Sequence, residues 1–435
     1  MTDPVGTDPY VPGHGSASYS VLHYDLHVGY KVAGNRLEGD ARLQCEAHTD
    51  LTTVELDLAL RPAKVFVDGQ AVRYQHRRDR LVVRAPGPIG AGERFEVRVR
   101  YAGSPRPVSS KVLGTAGWEE LADGVLVASQ PHGAPSWFPC NDRPDNKATY
   151  TLTLTTGSEY VVAFTGEPVD QRRGASSITW VFEQEAPMAT YLAAVQIGRY
   201  DVLAIDASVP MRSLTPQPSD DEGYDAAFGG QPQMMAYFQQ AFGPYPFASY
   251  TCVITDDELE IPLEAQAMST FGRNFMTDDW ESERLVAHEM AHQWFGNAVT
   301  LGQWKDIWLH EGFACYAEWL WSEESGTLPT DARVAEHHAR LAELDQDFVI
   351  GDPGPELMFD DRLYKRGALT LHALRGEVGD DTFFGLLRSW VAEHRGGTVS
   401  TPNFIAHASL AAGRDLGDLF EAWLYTAALP PPPTA

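Results

Sequence analysis

The sequence predicts an α+β protein of more than one domain, with an antiparallel β domain followed by a mainly helical domain. Two observations indicate this order. In the first half, short runs alternate apolar and polar residues between turns that contain glycine, proline and aspartate. In the second half, apolar residues recur with the 3.6-residue period of a helix over longer segments. The length of 435 residues suits two or three domains.

The first strand is predicted from residues 20–30, where every second residue from Leu22 to Tyr30 is apolar or aromatic. Alternating runs continue to about position 200, namely TVELDL, KVFVDGQAV with an Asp68-Gly69 turn, RLVVRAP, ERFEVRVRY, YTLTLTT, EYVVAFTG and SITWVFEQ. Short strands at this spacing are typical of antiparallel sheet. We therefore expect a flexible N-terminus over residues 1–18 and a β domain over 19–203.

The spacing of apolar residues changes from a two-residue to a helical period after SLTPQPSDDEG, residues 213–223. Composition alone would divide the chain within this stretch. The helical candidates that follow are MMAYFQQAF, ESERLVAHEMAHQWF, EGFACYAEWLW, RGALTLHALRGEV and TFFGLLRSWVAEH. We assign the helical domain to residues 204–430. The ending PPPTA, residues 431–435, is expected to be a disordered tail.

The charge balance limits the class of partner. The chain has 60 acidic and 33 basic residues, a net charge of -27. Proteins that bind nucleic acid need a positive field, so we expect no nucleic-acid partner and interpret the basic run at 76–80 as a solvated hairpin face. A negative field favours substrates that carry positive charge.

Targeting and membrane signals are not found in the sequence. The N-terminus has no basic region followed by an apolar one, and no apolar run is long enough to span a bilayer. The four cysteines, Cys45, Cys140, Cys252 and Cys315, have neither CxxC nor disulfide-framework spacing. We expect a cytoplasmic protein with free thiols and no membrane partner.

The stretch HEMAH, residues 288–292, is the candidate metal site. In a helix, residues four apart lie on one face, so His288 and His292 can direct ring nitrogens at one ion with Glu289 beside them. Such a pair also arises by chance, and catalytic zinc needs three protein ligands and an open position. A third histidine six residues further on is absent, because Ala298 stands there. A carboxylate, Glu311, follows after 18 intervening residues.

The candidate helix has predicted ends. Asp278 and Glu281 have the spacing of a capping box, and Gly296-Asn297 is a helix stop. A second helix returning antiparallel would bring Glu311 back to the metal. His310 points about 100° away around that helix, which favours a packing role over ligation.

HEMAH followed after 18 residues by the glutamate of WLHEGFA resembles the aminopeptidase N family of zinc aminopeptidases, which includes the bifunctional leukotriene hydrolases. Further resemblances cover most of residues 20–430: LHYDLHV, SWFPCNDRPDNKATYTLTL, FGPYPFASY and LYKRGALTLHALR. The resemblance implies a saddle-like N-terminal β domain, a thermolysin-like catalytic domain and one Zn²⁺ per chain. Because only PPPTA follows DLFEAWLYTAALP, we expect a short bacterial-type member that lacks the family's C-terminal helical domain.

The resemblance also implies roles for individual residues. His288, His292 and Glu311 would hold zinc, Glu289 would be the general base, and Tyr364 of LYKRG would donate a hydrogen bond to the oxyanion. The family's Gly-Ala-Met-Glu-Asn motif appears here as IPLEA and keeps only its glutamate.

That glutamate, Glu264, would bind the substrate's α-ammonium, and Gln130 matches a family glutamine of the same pocket. Glu318 lies two turns after Glu311 and could orient a ligand histidine. Each of the less certain residues has an ordinary alternative. Tyr364 could be a half-buried tyrosine, Gln130 a polar turn residue and Glu318 a solvated surface residue.

The sequence therefore predicts a zinc-dependent aminopeptidase that acts on peptides with a free N-terminus. A zinc endopeptidase, an epoxide hydrolase at the same metal and a non-catalytic zinc-binding module remain as alternatives. Glu289 and Tyr364 argue against the last, because metal binding needs neither. The preferred first residue is left open, as is the choice between monomer and homodimer.

Overall fold

The computed structural model describes residues 7–433, apart from the side chain of Asp221. Residues 1–6 of the expected flexible N-terminus and 434–435 of the expected tail lie outside this range. A β-rich part precedes a helical part, which confirms the predicted α+β order.

The N-terminal part contains most of the strands. They are β1 (Tyr19–Lys31), β2 (Arg36–Ala47), β3 (Leu51–Asp57), β4 (Arg61–Val67), β5 (Gln70–Ala71), β6 (Tyr74–Arg77), β7 (Arg80–Ile89), β8 (Arg94–Gly103), β9 (Val108–Ser110), β10 (Gly114–Leu121), β11 (Gly124–Ala128), β12 (Ala148–Gly157), β13 (Val161–Phe164), β14 (Glu167–Arg173), β15 (Ser177–Met188) and β16 (Val195–Gly198).

These strands form three sheets, of which the largest has eight strands in the order β14-β15-β12-β1-β2-β8-β4-β5. The others are β13-β16-β11-β10-β9 and β3-β7-β6. The predicted antiparallel pairing holds except between β1 and β12, which run parallel with Tyr24 opposite Tyr150. Their stacked rings, 4.8 Å apart, belong to the buried aromatic core between the sheets.

The helical part is built on a small mixed sheet. Its elements are β17 (Tyr200–Ile205), β18 (Met211–Pro216), β19 (Tyr250–Thr255), β20 (Leu263–Ala265), β21 (Met268–Gly272), β22 (Thr300–Leu301), β23 (Thr398–Val399), α1 (Asp221–Phe228), α2 (Gln231–Phe242), α3 (Trp280–Ala291), α4 (Trp308–Glu324), α5 (Thr330–Ala342), α6 (Asp361–Val378), α7 (Asp380–His394), α8 (Thr401–Ala412) and α9 (Gly417–Phe420).

The sequence did not predict the five-stranded sheet β17-β18-β19-β21-β20. Every residue of β19 and β21 is buried, so these strands show no polar alternation that a periodicity argument could detect. The sheet begins with Tyr200, before the position where composition changes. Its edge strand β20 faces the space between the two parts of the chain.

The ends of α3 differ from those predicted. The N-cap is Asp279, whose carboxylate accepts a 2.9 Å hydrogen bond from the backbone N–H of Ser282, so the Asp278–Glu281 capping box is wrong by one residue. The α-helix ends at Ala291, short of Gly296. The predicted end at Gly296 lies beyond the observed one, because the chain continues after Ala291 in turns that are wider than an α-helix. In these turns the N–H of Asn297 donates to the carbonyl of His292, five residues earlier.

Helices α4 and α6 cross with their backbones in direct contact. A Cβ atom on Gly367 would lie 2.7 Å from the Cα of Gly312, and a Cβ on Gly312 would lie 2.8 Å from the Cα of Gly367. Both distances are below normal contact, so only glycine fits at either position. The crossing places Glu311 of α4 and Tyr364 of α6 on the same side of the helix pair.

The segment before β1 packs on the helical part. The Asp8 carboxylate accepts a 2.7 Å hydrogen bond from the N–H of Trp304. The Tyr10 hydroxyl donates to Asp352 at 2.5 Å and accepts from the N–H of Gly354 at 2.6 Å. Nothing in the composition of this segment signals these contacts, which join residues about 300 or more positions apart in the chain.

The four cysteines are buried and unpaired. Burial raises the pKa of Cys45, Cys140, Cys252 and Cys315, so each thiol is protonated at neutral pH. Within residues 7–433, no helix combines the length and the apolar character needed to cross a membrane. The cytoplasmic location stays a prediction.

The glycine contact leads to a stability prediction. Gly367→Ala should destabilise the protein by about 1–3 kcal/mol, because the new methyl forces α4 and α6 apart. Gly385 of α7 is a matched control, since its Cβ would meet nothing within 4 Å. Gly385→Ala should stabilise by roughly 0.5–1 kcal/mol through helix propensity. Denaturant unfolding followed by circular dichroism measures both; equal effects would contradict the packing argument.

Candidate active site

The candidate site is a cleft of about 450 Å³ between the two parts of the chain. Gln130 and Pro131 line it from the β-rich part, immediately after β11. Edge strand β20 and helices α3, α4 and α6 form the other walls. The cleft thus collects residues that are far apart in the sequence.

The three predicted metal ligands meet at the bottom of this cleft. Helical spacing puts His288 and His292 on one face of α3, and α4 returns to bring Glu311 against them. The Nε2 atoms of both histidines lie 3.4 Å from the same Glu311 oxygen. All three side chains are buried.

This geometry fits a zinc ion. Donors bound to tetrahedral zinc at about 2.0–2.1 Å lie roughly 3.3–3.4 Å from one another, which matches the observed Nε2–oxygen separations. The donor set of two imidazoles and one carboxylate is a known catalytic zinc set. The Oε2 atom of Glu289, buried beside the histidines, has no hydrogen-bond partner within residues 7–433, which leaves it available for a water.

The other ring nitrogen of each histidine is held by the protein. The Nδ1 of His288 lies 2.7 Å from a carboxylate oxygen of Glu318, and the Nδ1 of His292 lies 3.0 Å from the carbonyl oxygen of Phe295. Both partners accept, so each Nδ1 donates and each Nε2 presents its lone pair to the metal position. Glu318 is therefore buried beside His288 rather than solvated at the surface.

Two cations that sequence reasoning missed accompany Glu318. Arg284 donates to it at 3.3 Å, and buried Lys365 stands nearby with its ammonium 3.4 Å from the Cys315 sulfur. Burial opposes ionisation of Glu318, but Lys365, the bond to His288 and Arg284 together lower its pKa to about 2. Lys365 directly follows Tyr364, and that adjacency to a candidate residue is the only sequence signal for it.

The carboxylates of the cleft make it strongly acidic. Burial raises the pKa of Glu289 to about 8, and burial also raises the pKa of Glu264. Burial opposes ionisation of Glu311 as well, but His292 and His288 hold its pKa well below the usual range. Without a cation these shifts oppose ionisation of Glu264 and Glu289, and a divalent metal in the cleft would favour their ionised forms.

Glu264 occupies β20 despite the change from the family motif to IPLEA. One of its carboxylate oxygens lies within 4.8 Å of a carboxylate oxygen of Glu289 and of a ring nitrogen of His292. The amide of Gln130 donates to Glu264 at 2.7 Å, so these two candidate residues meet across the domain boundary.

The segment that follows α3, the helix of His288 and His292, holds β20 in place. The side chains of Gln293 and Asn297 donate to the carbonyl of Ala265 at 3.2 and 2.9 Å. The side-chain oxygen of Gln293 also accepts from the N–H of Ala267 at 2.8 Å. These contacts explain why Glu264 keeps its position when the residues around it change.

Tyr364 lines the same cleft from α6. Its ring is stacked against that of His288, with centroids 6.0 Å apart. Burial and the carboxylates of Glu311, Glu264 and Glu289 raise its pKa well above 10, so the hydroxyl stays protonated and can donate a hydrogen bond.

His310 faces away from the metal position, as the helical wheel predicts. Its Nε2 accepts a 2.9 Å hydrogen bond from the N–H of Leu301, and burial lowers its pKa to about 3. The imidazole is therefore neutral. It packs the start of α4 against β22.

The chain was compared with known proteins. Residues 20–192 match the peptidase M1 N-terminal domain, and residues 226–423 match the peptidase family M1 domain. An M1 zinc metallopeptidase from Deinococcus radiodurans has a similar structure, with a TM-score of 0.89, 31% identity, and coverage of 98% of this chain and 99% of that one. This chain belongs to peptidase family M1, whose structural relatives are zinc metallopeptidases.

Longer relatives are also similar. Aminopeptidase M1-D of Oryza sativa is 25% identical over 92% of this chain and 49% of its own length. A probable M1 family aminopeptidase 2 of Encephalitozoon cuniculi is 25% identical over 94% of this chain and 51% of its own length. The chain thus spans about half the length of the curated relatives it matches.

The contact between Glu318 and His288 leads to a prediction on metal affinity. Glu318→Gln should weaken zinc binding about 10–100-fold, because the lost charge reduces the basicity and orientation of the His288 ring. Glu324→Gln is the control, since Glu324 is exposed on the same helix. Competition with a chromophoric chelator measures both affinities, and unchanged binding in Glu318→Gln would exclude this role.

Proposed function

We propose that this chain is a zinc-dependent aminopeptidase that hydrolyses the N-terminal residue from peptides. The observation that carries the proposal is Glu264, a half-buried carboxylate of the cleft that lies beside Glu289 and His292 but is not one of the three metal donors. A hydrolytic zinc site alone needs no such group. A site that binds a free α-ammonium does.

His288, His292 and Glu311 hold the metal in this proposal. Zinc bound there supplies a Lewis acid that polarises the scissile carbonyl and lowers the pKa of a water molecule. Glu318 and the carbonyl of Phe295 keep the two imidazoles in the tautomer that ligation needs.

Glu289 is the general base. It adjoins the ligands in sequence, its Oε2 has no partner in the described part of the chain, and its raised pKa suits a group that takes and returns a proton near neutral pH. The carboxylate accepts the proton of the attacking water and then delivers it to the leaving amine.

Tyr364 donates a hydrogen bond to the oxyanion that develops on the substrate carbonyl. Its protonated hydroxyl and its position opposite the two histidines suit this role. The crossing of α4 and α6 holds the tyrosine at a fixed distance from Glu311.

Glu264 and Gln130 bind the substrate's amino group. The hydrogen bond between them orients the carboxylate, and Glu264 keeps oxygen lone pairs for the ammonium. Because this anchor lies close to the metal donors, only the first peptide bond reaches the water. A related structure from Deinococcus radiodurans is described as bound to a Tyr-Ser-Ala substrate, and another two-domain M1 metallopeptidase as bound to L-arginine.

Turnover of aminoacyl arylamides tests the proposal directly. The native protein should hydrolyse some members of a panel and lose that activity when a chelator removes the metal. Glu289→Gln should retain one zinc but lose several orders of magnitude in kcat, because only the proton acceptor is lost. Metal analysis of the purified variant provides the control. Full activity in Glu289→Gln would exclude it as the base.

The amine anchor distinguishes an aminopeptidase from an endopeptidase. Glu264→Gln should lower kcat/KM for free-amine peptides about 100-fold, on the order of 2–3 kcal/mol for a buried charge pair. N-acetylated peptides should be poor substrates of both proteins. Glu260→Gln, which changes an exposed carboxylate four residues earlier, should have no effect. Efficient cleavage of acetylated peptides by the native protein would instead support an endopeptidase.

A further inference from the structure

A second group of metal-binding side chains lies outside the cleft, where the end of α7 meets α8. Glu393 and His394 belong to the last turn of α7, and His407 belongs to α8. Their donor atoms lie within 4.8 Å of one another. Of the three such groups found within residues 7–433, it alone shares no residue with the cleft.

Hydrogen bonds determine the tautomer of His407. Its Nε2 lies 2.8 Å from the hydroxyl of Ser389 and 3.3 Å from the carbonyl oxygen of Leu386. The Ser389 hydroxyl already donates its proton to the Leu386 carbonyl at 3.0 Å, so both oxygens accept from Nε2. In the neutral imidazole of His407 the lone pair is then on Nδ1, which lies 3.7 Å from a Glu393 carboxylate oxygen. This arrangement is typical of a metal-ligating histidine, whose second nitrogen is held by an acceptor.

Packing positions the second imidazole. The ring of Trp390 lies 4.3 Å from that of His394 and 5.3 Å from that of His407, so one indole orients both. The two imidazole centroids are 6.1 Å apart. The His394 imidazole contributes one donor nitrogen to the group.

The donor chemistry selects the class of ligand. Two imidazoles and one carboxylate suit Zn²⁺, Ni²⁺ and Cu²⁺ better than Mg²⁺ or Ca²⁺, which prefer oxygen donors. The Glu393 side chain is 62% exposed, so it can move the short distance needed to close on an ion, and solvent can fill the remaining positions. The net charge of -27 favours accumulation of cations at the surface.

We propose that Glu393, His394 and His407 bind a second divalent transition-metal ion. The ion joins the end of α7 to α8 across a loop that contains β23. That loop is bonded to the segment after the zinc helix, through the N–H of Gly396 to the carbonyl of Ala298 and through pairing of β23 with β22. The bound ion therefore stabilises the fold where the end of α7 meets α8.

Equilibrium dialysis of the zinc-loaded protein against graded Zn²⁺ tests the proposal. The native chain should bind a second equivalent, with an affinity below that of the cleft because its donors must move. His394→Gln and His407→Gln should each weaken this second equivalent at least tenfold and keep the first. Glu393→Gln should weaken it less, because solvent can replace an exposed carboxylate.

A matched control is His27→Gln. His27 is an exposed imidazole 3.1 Å from the Asp25 carboxylate, a surface pair that belongs to none of the three-donor groups found within residues 7–433. It should keep both equivalents. Retention of the first zinc and of arylamide turnover shows that each variant is folded.

Thermal unfolding supplies an independent readout, because a ligand that binds only the folded state raises the unfolding temperature. Zn²⁺ added beyond the first equivalent should raise Tm in the native protein and in His27→Gln, but not in His394→Gln or His407→Gln. A single equivalent in the native protein would overturn the proposal. Binding of a second zinc equivalent by both histidine variants would also overturn the proposal. The second ion would then be bound at another place, such as the cleft.

Discussion

The backbone contact between Gly312 and Gly367 is the constraint on which the site depends. Without side chains at this crossing, α4 and α6 approach until the Cα of one residue would be 2.7 Å from a Cβ on the other. Glu311 adjoins one glycine, and Tyr364 lies three residues before the second, almost one helical turn. Because the two helices cannot approach more closely without backbone overlap, the crossing limits how Glu311 and Tyr364 can move relative to each other. A rigid crossing of this kind provides the preorganisation that catalysis requires.

Electrostatic balance is the second requirement. Glu289, Glu311 and Glu318 are buried in one region of the cleft, and Glu264 lies half-buried beside them. The two histidines bring no positive charge, because they are neutral when they bind a metal. Around Glu318 the protein supplies its own countercharge, from Lys365 and Arg284. Around the other three carboxylates the described residues supply no Lys or Arg in hydrogen-bond contact, so bound cations would have to complete the charge balance there.

The cleft is formed by residues of both parts of the chain, which contact each other around it. Gln130 reaches Glu264 from the β-rich part, and the Lys147 ammonium donates to the carbonyls of Asn297 and Ala298 beyond the zinc helix. Burial lowers the pKa of Lys147 to about 7. Its side-chain nitrogen is bound by carbonyl oxygens rather than by a carboxylate. The N-terminal segment adds a third tie through Tyr10 and Asp352. The β-rich part thus lines the cleft as well as packing against the helical part.

Local pattern by itself determined the order of the β and helical halves and placed His288 and His292 on one helix face with Glu289 beside them, because periods of 2 and 3.6 residues are properties of neighbouring residues. Only the tertiary structure decided what depends on distant segments. It paired Gln130 with Glu264, and it buried Glu318 beside His288, although the sequence also allowed a solvated position for that glutamate. It also shifted the cap of α3 to Asp279 and formed the buried sheet around β19 and β21. In each case the deciding energy comes from packing and desolvation between residues that no local window contains.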